Sequence, residues 1–306
     1  MNLLSKETYI NRADIWMQLP IFYYPWYLDF AAPHWEIIAL EIGENDYLIW
    51  PYHIDKRLIF KFIRTPFLTP YYGPITIGNV SDAAFDKALS LLPKTDMLQV
   101  QPHYDQQHNE WFLRQGFTPS EKCTFILDIE KKSAEELFQS FRKDAKDRIL
   151  QSQETLTFVD TEPFPILDYT QWMEKIYEKR GQKFNIDAQF IKDYAYFGAL
   201  NDGGQCINVM HEDQIVGCSF CLFDVDSYYL ILTAQDPNFK NSALTTGLIW
   251  QHILKAKSLG CKTFDFEGSK IPGVAEFYKK FGGEQHLFNA YIKEEGNLWK
   301  TIKKFK

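Results

Sequence analysis

No stretch of the chain approaches the roughly 20 uninterrupted apolar residues that a membrane span requires. The start, MNLLSKETYINRADIW, has no basic opening, apolar middle or small-residue cleavage site, so it does not read as a secretory signal. There is no Walker loop and no Gly-x-Ser-x-Gly elbow, which leaves nucleotide-triphosphatase and serine-hydrolase readings unsupported. The five cysteines, Cys123, Cys206, Cys218, Cys221 and Cys261, are odd in number and sit mostly inside apolar runs, as reduced structural thiols do. Cys218 and Cys221 form a C-x-x-C, but within GCSFCLF, which reads as a strand. Residues three apart on a strand face opposite sides, which argues against a metal clip. His103, Asp105 and His108 fit no common zinc spacing. Basic charge is not in excess either. Thirty-three Lys and Arg against 40 Asp and Glu leave a net charge of −7, which disfavours a general polyanion binder while leaving room for a local basic groove. The expectation is a soluble, cytoplasmic chain with no metal and no tightly bound cofactor.

What is present is apolar material. With 45% hydrophobic and 16% aromatic residues, 306 residues suffice for one large core or two of ordinary size. A helix is expected over 6–18, then a hairpin in which WEIIALEI and DYLIWPYHI flank a Gly/Asn turn. Ser81 opens the helix SDAAFDKALSLL, MLQVQPHY reads as a strand, DQQHNEWFLRQG as a helix stopped by Gly116, and CTFILDI as a strand. A capping box, Ser133 with Glu136, then opens a helix running from 133 to about 153. Two helices over roughly 164–200 precede three strands, QCINVMH, IVGCSFCLFD and SYYLILTAQ. The helix SALTTGLIWQHILKAKSLG follows and ends at Gly260. The two halves share an order of strands, helix, strand, helix, strand. This predicts an α/β (α+β) fold of two tandem domains, 1–130 and 131–306, each a mixed sheet flanked by helices.

The segment TFDFEGSKIPGVAEFYKKFGGEQHLF, residues 263–288, is the densest in chemistry. It reads as a strand, a Pro/Gly turn, a short helix ending on a double glycine and a further strand. On an extended strand, Asp265 and Glu267 point to one face while Phe264 and Phe266 anchor the other. Two adjacent carboxylates at a strand end are costly unless solvated or paired, and strand ends of open α/β sheets are favoured ligand positions. The pair is therefore a candidate to hold and deprotonate an amine; a salt bridge to Lys262, Lys270 or a basic helix is the structural alternative. NEWFLRQGFTPSEKCTFILDI, residues 109–129, is a weaker echo with Phe112 where the later copy has Tyr278.

The element order and FYKKFGG together resemble the GNAT (GCN5-related N-acyltransferase) fold. The doubled layout, the Arg/Lys-rich helix and the D-F-x-G strand end are similar to the Fem-type aminoacyl transferases, which add amino acids to cell-wall precursor peptides in bacteria. This resemblance implies a second, catalytic domain beside a degenerate first. It implies that Tyr278 is the general acid for the leaving group, with Glu267 and Asp265 as the acidic pair beside the acceptor amine. Donor binding would fall to PNFKNSALTTGLIW, through Lys240, Ser242, Ala243, Leu244 and Thr245. The glycines of a GNAT pyrophosphate cradle are missing there, and that departure puts coenzyme A in doubt and pulls toward the Fem-type proteins. Arg142 and Lys146, at i and i+4, with Gln235 and Ser269, are the candidate substrate contacts. The implied reaction moves an acyl or aminoacyl group from an acyl-CoA co-substrate or an aminoacyl-tRNA to a small-molecule or peptide amine. The alternative is a non-catalytic small-molecule or peptide-binding protein that has kept such a cleft.

Overall fold

The computed structural model describes residues 1–160, 164–268 and 272–303. In chain order these form β1 (Asn2–Leu4), α1 (Lys6–Ile10), α2 (Ala13–Trp16), α3 (Pro25–Ala31), β2 (Glu36–Gly43), β3 (Asp46–Tyr52), β4 (Ile54–Arg57), β5 (Phe60–Ile63), β6 (Ile75–Ile77), α4 (Asp82–Leu91), β7 (Met97–Val100) and α5 (Asn109–Arg114). They continue as β8 (Thr118–Asp128), α6 (Ala134–Ser140), α7 (Lys143–Thr155), β9 (Thr157–Val159), α8 (Ile166–Glu178), α9 (Ala188–Leu200), β10 (Gly204–His211), β11 (Gln214–Phe223) and β12 (Ser227–Gln235). The last elements are α10 (Leu244–Ser258), β13 (Thr263–Asp265), α11 (Pro272–Lys279), β14 (Glu284–Glu294) and α12 (Asn297–Lys303). Two compact units result: Met1–Cys123 with His286–Lys306, and Thr124–Gln285. The closing segment, assigned to the second half by linear reading, thus folds with the first.

In the first unit β1, β2, β3 and β6 form an antiparallel sheet. A second ladder runs β4, β5, β7, β14, antiparallel except for the parallel β5–β7 pair. The core gathers Leu40, Trp50, Phe85, Trp111, Phe112 and Tyr291. The helix expected over 6–18 is two short helices, because the chain leaves helical geometry at Arg12 (φ −105°, ψ 69°).

The second unit is built on the ladder β8-β13-β12-β11-β10-β9, in which only β12 and β13 run parallel. Long apolar runs in β11 and β12 bury both faces, as strands covered on two sides must. α10 packs against α7 through Gly247, where any Cβ would run into Ser152 Oγ. Leu244 and Leu248 of α10 pack onto Ile207, Val209 and Val216 beneath it. The capping box forms as read: Ser133 Oγ accepts from Glu136 N–H (3.1 Å) and Glu136 accepts from Ser133 N–H (2.7 Å). The helix it opens is shorter than expected. Phe141 and Arg142 are extended, and Arg142 N–H donates to Lys280 C=O (2.9 Å), splitting α6 from α7.

Candidate active site

The parallel ladder between β12 and β13 closes with Tyr229 opposite Asp265. Phe266 N–H still bonds Phe125 C=O of β8 (2.9 Å), so the chain stays with β8 as it leaves β12. β12 itself continues to Gln235 and carries a bulge where one of its residues, Ile231, lies between the partners of Phe220 and Cys221. A strand end parting from its parallel neighbour is where α/β sheets place ligands.

Asp265 is buried at this point, 1% exposed. Its Oδ1 accepts from Thr124 Oγ1 and from Glu267 N–H (2.8 Å). Glu267 is not on the strand: β13 stops at Asp265, and Glu267 has φ +61°, a left-handed conformation uncommon for a glutamate. The expected same-face alternation therefore fails. The backbone reversal brings the carboxyls together instead, with Glu267 N–H held on Asp265. Although the Glu267 side chain is part-exposed as a whole, its Oε1 is buried and finds no hydrogen-bond partner among the described residues. Burial, then the neighbouring Asp265 carboxylate, pushes the Glu267 carboxyl well above the ordinary range.

Tyr278 faces the same place. Its ring stacks on Phe266, the residue between the two acids, at 5.0 Å and 29°, and lies 5.8 Å from Phe125. Burial, then the charges of Glu267 and Asp265, push its phenol up to about 12. The helix carrying it is tied to the N-terminus of α7. Lys280 Nζ meets Asp144 at 2.6 Å, and Arg142 reaches Glu276 at 3.8 Å. Arg142 is thus the residue before α7, held on α11. Lys146 donates back to Gln139 C=O (3.2 Å), so the two do not present the shared helical face expected of them.

Lys240 and Ser242 are exposed beside the N-terminus of α10, while Ala243 and Leu244 are buried. Leu244 fills the space above Gly217, where a Cβ would lie 2.7 Å from it. Thr245 Oγ1 donates to Gln235 Oε1 (3.3 Å), and Gln235 Nε2 donates to Phe239 C=O (2.7 Å) and Asn241 C=O (3.2 Å). Gln235 thereby shapes the loop that leads into α10. Ser269 lies outside the described residues. Phe266, expected as a core anchor, and Thr124 both join this site; no local pattern marks Thr124, which meets Asp265 across 141 residues.

In the first unit Phe112 is wholly buried, stacked on Tyr291 at 4.0 Å, and is a core residue. His103 Nδ1 bonds Asp105 there, beside the ring of Tyr71 at 4.4 Å. Among the described residues no cluster of three or more potential ligands could hold a metal, and no helix is long and apolar enough to cross a membrane.

Residues 139–280 match the family model of the GNAT acetyltransferase domain, a span lying wholly in the second unit and containing Tyr278 and both acids. FemX superposes with a TM-score of 0.73 at 10% identity, over 99% of each chain. The C-terminal domain of a putative lysylphosphatidylglycerol synthetase from Agrobacterium fabrum gives 0.53 at 11% identity, over 96% of this chain and 94% of that one. L-PGS from Bacillus licheniformis gives 0.50 at 10% identity, over 87% of each. No curated protein matches by sequence. The class is therefore a GNAT-type acyltransferase fold. More particularly, the chain has the tandem, Fem-like form of that fold, with its GNAT domain in the second unit.

Proposed function

We propose that the second unit transfers an aminoacyl group from an oxygen ester, the linkage of aminoacyl-tRNA, to the amine of a small-molecule or peptide acceptor, and that the first unit is a degenerate partner. The observation that carries this reading is the place of Tyr278, stacked on Phe266 between the two acids, where burial and their charges make its phenol a weaker acid than usual. An acid is most useful when matched to the group it protonates. A departing thiolate, whose thiol has a pKa near 8.5, needs no proton from so weak an acid. A departing alkoxide is far more basic and does. The missing cradle glycines at Ala243 and Thr245 favour the same donor, since close backbone approach to a pyrophosphate is best made by glycine.

In this reading the acceptor binds as an ammonium beside Glu267 and Asp265. Its positive charge favours ionised Glu267, which takes the proton and leaves a free amine. The nitrogen attacks the ester carbonyl, the new C–N bond forms, and the C–O bond to the ribose breaks. Tyr278 gives its proton to the leaving oxygen, and the excess amine proton restores the phenol. Asp265, held by Thr124, fixes Glu267 through its backbone amide.

The test is a single-turnover assay with charged tRNA and with acetyl-CoA against a panel of amines and peptidoglycan precursor peptides. Transfer from charged tRNA, sensitive to salt as polyanion binding must be, is expected. Transfer from acetyl-CoA alone overturns the ester assignment, and transfer from neither overturns the catalytic reading.

A further inference from the structure

α9 does not lie evenly on the sheet of the second unit. Near its C-terminal end two glycines let the backbones touch: a Cβ on Gly204 would lie 2.7 Å from the Gly198 carbonyl carbon. Away from that pinch the helix stands off, and a cavity of about 270 Å³ opens beneath it. Its floor is the cross-strand pair Cys206 and Phe220, and Phe164, Ile166 and Ala195 complete an apolar wall. Small Ala195 leaves the room that a larger residue would fill. Ile207 and Val209 pack beneath α10, so Cys206, the neighbour of Ile207, faces the other side of the sheet by strand alternation. The cavity is therefore separate from the α10 face that bears the donor candidates.

The mouth has a different character. Lys192 and Tyr196, one helical turn apart on α9, frame it, and both are exposed, Tyr196 by 59%. Lys192 makes no ion pair among the described residues. An apolar interior closed by a single lysine is complementary to a single-chain amphiphile with an anionic head.

We propose that this cavity binds a medium-chain carboxylate, its tail over Cys206 and Phe220 and its carboxylate on Lys192. At roughly 30 Å³ for each water-sized group, the volume takes about nine carbons, which sets octanoate to decanoate as the class. The site is independent of the acyl-transfer reading, and no arm of its test measures transfer.

The experiment is calorimetric titration of the full chain with hexanoate, octanoate, decanoate and dodecanoate, and with decanol as the neutral comparator. Saturable one-to-one binding is expected. Affinity should rise about fourfold per methylene up to the length that fills the cavity, then level off. Ala195→Leu should lose decanoate and decanol together. Lys192→Gln should keep decanol and lose the preference for decanoate over it. No saturable binding overturns the proposal, and so does unchanged binding in a folded Ala195→Leu, which would place the ligand on the exposed surface. If Ala195→Leu does not fold by circular dichroism, the exposed Lys192→Gln decides: a wild-type preference for decanoate there overturns the assignment.

Discussion

Replacing Glu267 by glutamine should make the second unit more stable at neutral pH while removing its activity. The Glu267 carboxyl titrates well above its ordinary value in the folded chain, first through burial and then through Asp265, and its Oε1 has no hydrogen-bond donor among the described residues. In the unfolded chain the same group ionises near pH 4.3. Between that pH and the raised folded value, the unfolded state has lost the proton and the folded state still holds it. Stability is therefore greatest below the unfolded pKa and falls as pH rises, by up to about 1.4 kcal/mol per pH unit for this one group. Glutamine has no proton to lose, so Glu267→Gln removes that slope.

The two proteins should melt together near pH 4 and diverge as pH rises. For a unit of this size about 1 kcal/mol corresponds to roughly 2–4 °C in Tm, so the gap should widen by roughly 3–6 °C per pH unit until Glu267 ionises in the fold. Differential scanning calorimetry from pH 4 to 8 reads this directly, because every other titrating group is common to both proteins. Parallel curves would mean that Glu267 carries an ordinary carboxyl, and its assignment as a base held above the usual carboxylate range would go with it. A gain in Tm with turnover reduced about 10²-fold or more is the expected signature of a group kept for chemistry at a cost in stability.

Tyr278→Phe keeps the stack on Phe266 and removes only the proton, so turnover should fall about 10²-fold with Tm nearly unchanged. Unchanged turnover there, with loss on substitution in residues 101–105, would move the active site to the first unit. Gly247→Ala should destabilise by about 1–3 kcal/mol in urea unfolding, since its Cβ runs into Ser152 Oγ and lies 2.7 Å from Phe158 Cζ, and pairing it with Ser152→Ala should recover only part of that. Ser133→Ala removes one arm of the capping box and should lower the unfolding free energy by about 1 kcal/mol, with no effect on transfer.

The parts of the fold that could be read from the chain are those decided within a few residues. The Ser133–Glu136 box needs only a spacing of three, and the apolar density of β10, β11 and β12 reports burial directly. The acidic pair and Tyr278 were legible as a phrase, because β13, the turn and α11 follow one another in sequence. What escaped was decided at a distance. No glycine or proline marks the break between α6 and α7; it exists because Arg142 N–H finds Lys280 C=O, a partner 138 positions on. The return of residues 286–306 to the first unit likewise depends on β14 pairing with β7, Tyr291 against Val100, and on the Phe112–Tyr291 stack. Glu267 is the instructive case. Alternation put it on one strand face with Asp265, but the strand ends one acid too early, and a left-handed turn instead sets Glu267 N–H on Asp265. A strained backbone that holds a carboxyl beside another acid, with one of its oxygens buried and without a partner among the described residues, opposes both local propensity and electrostatics. Such a conflict persists where the surrounding structure imposes it, and it is at functional sites that such conflicts concentrate.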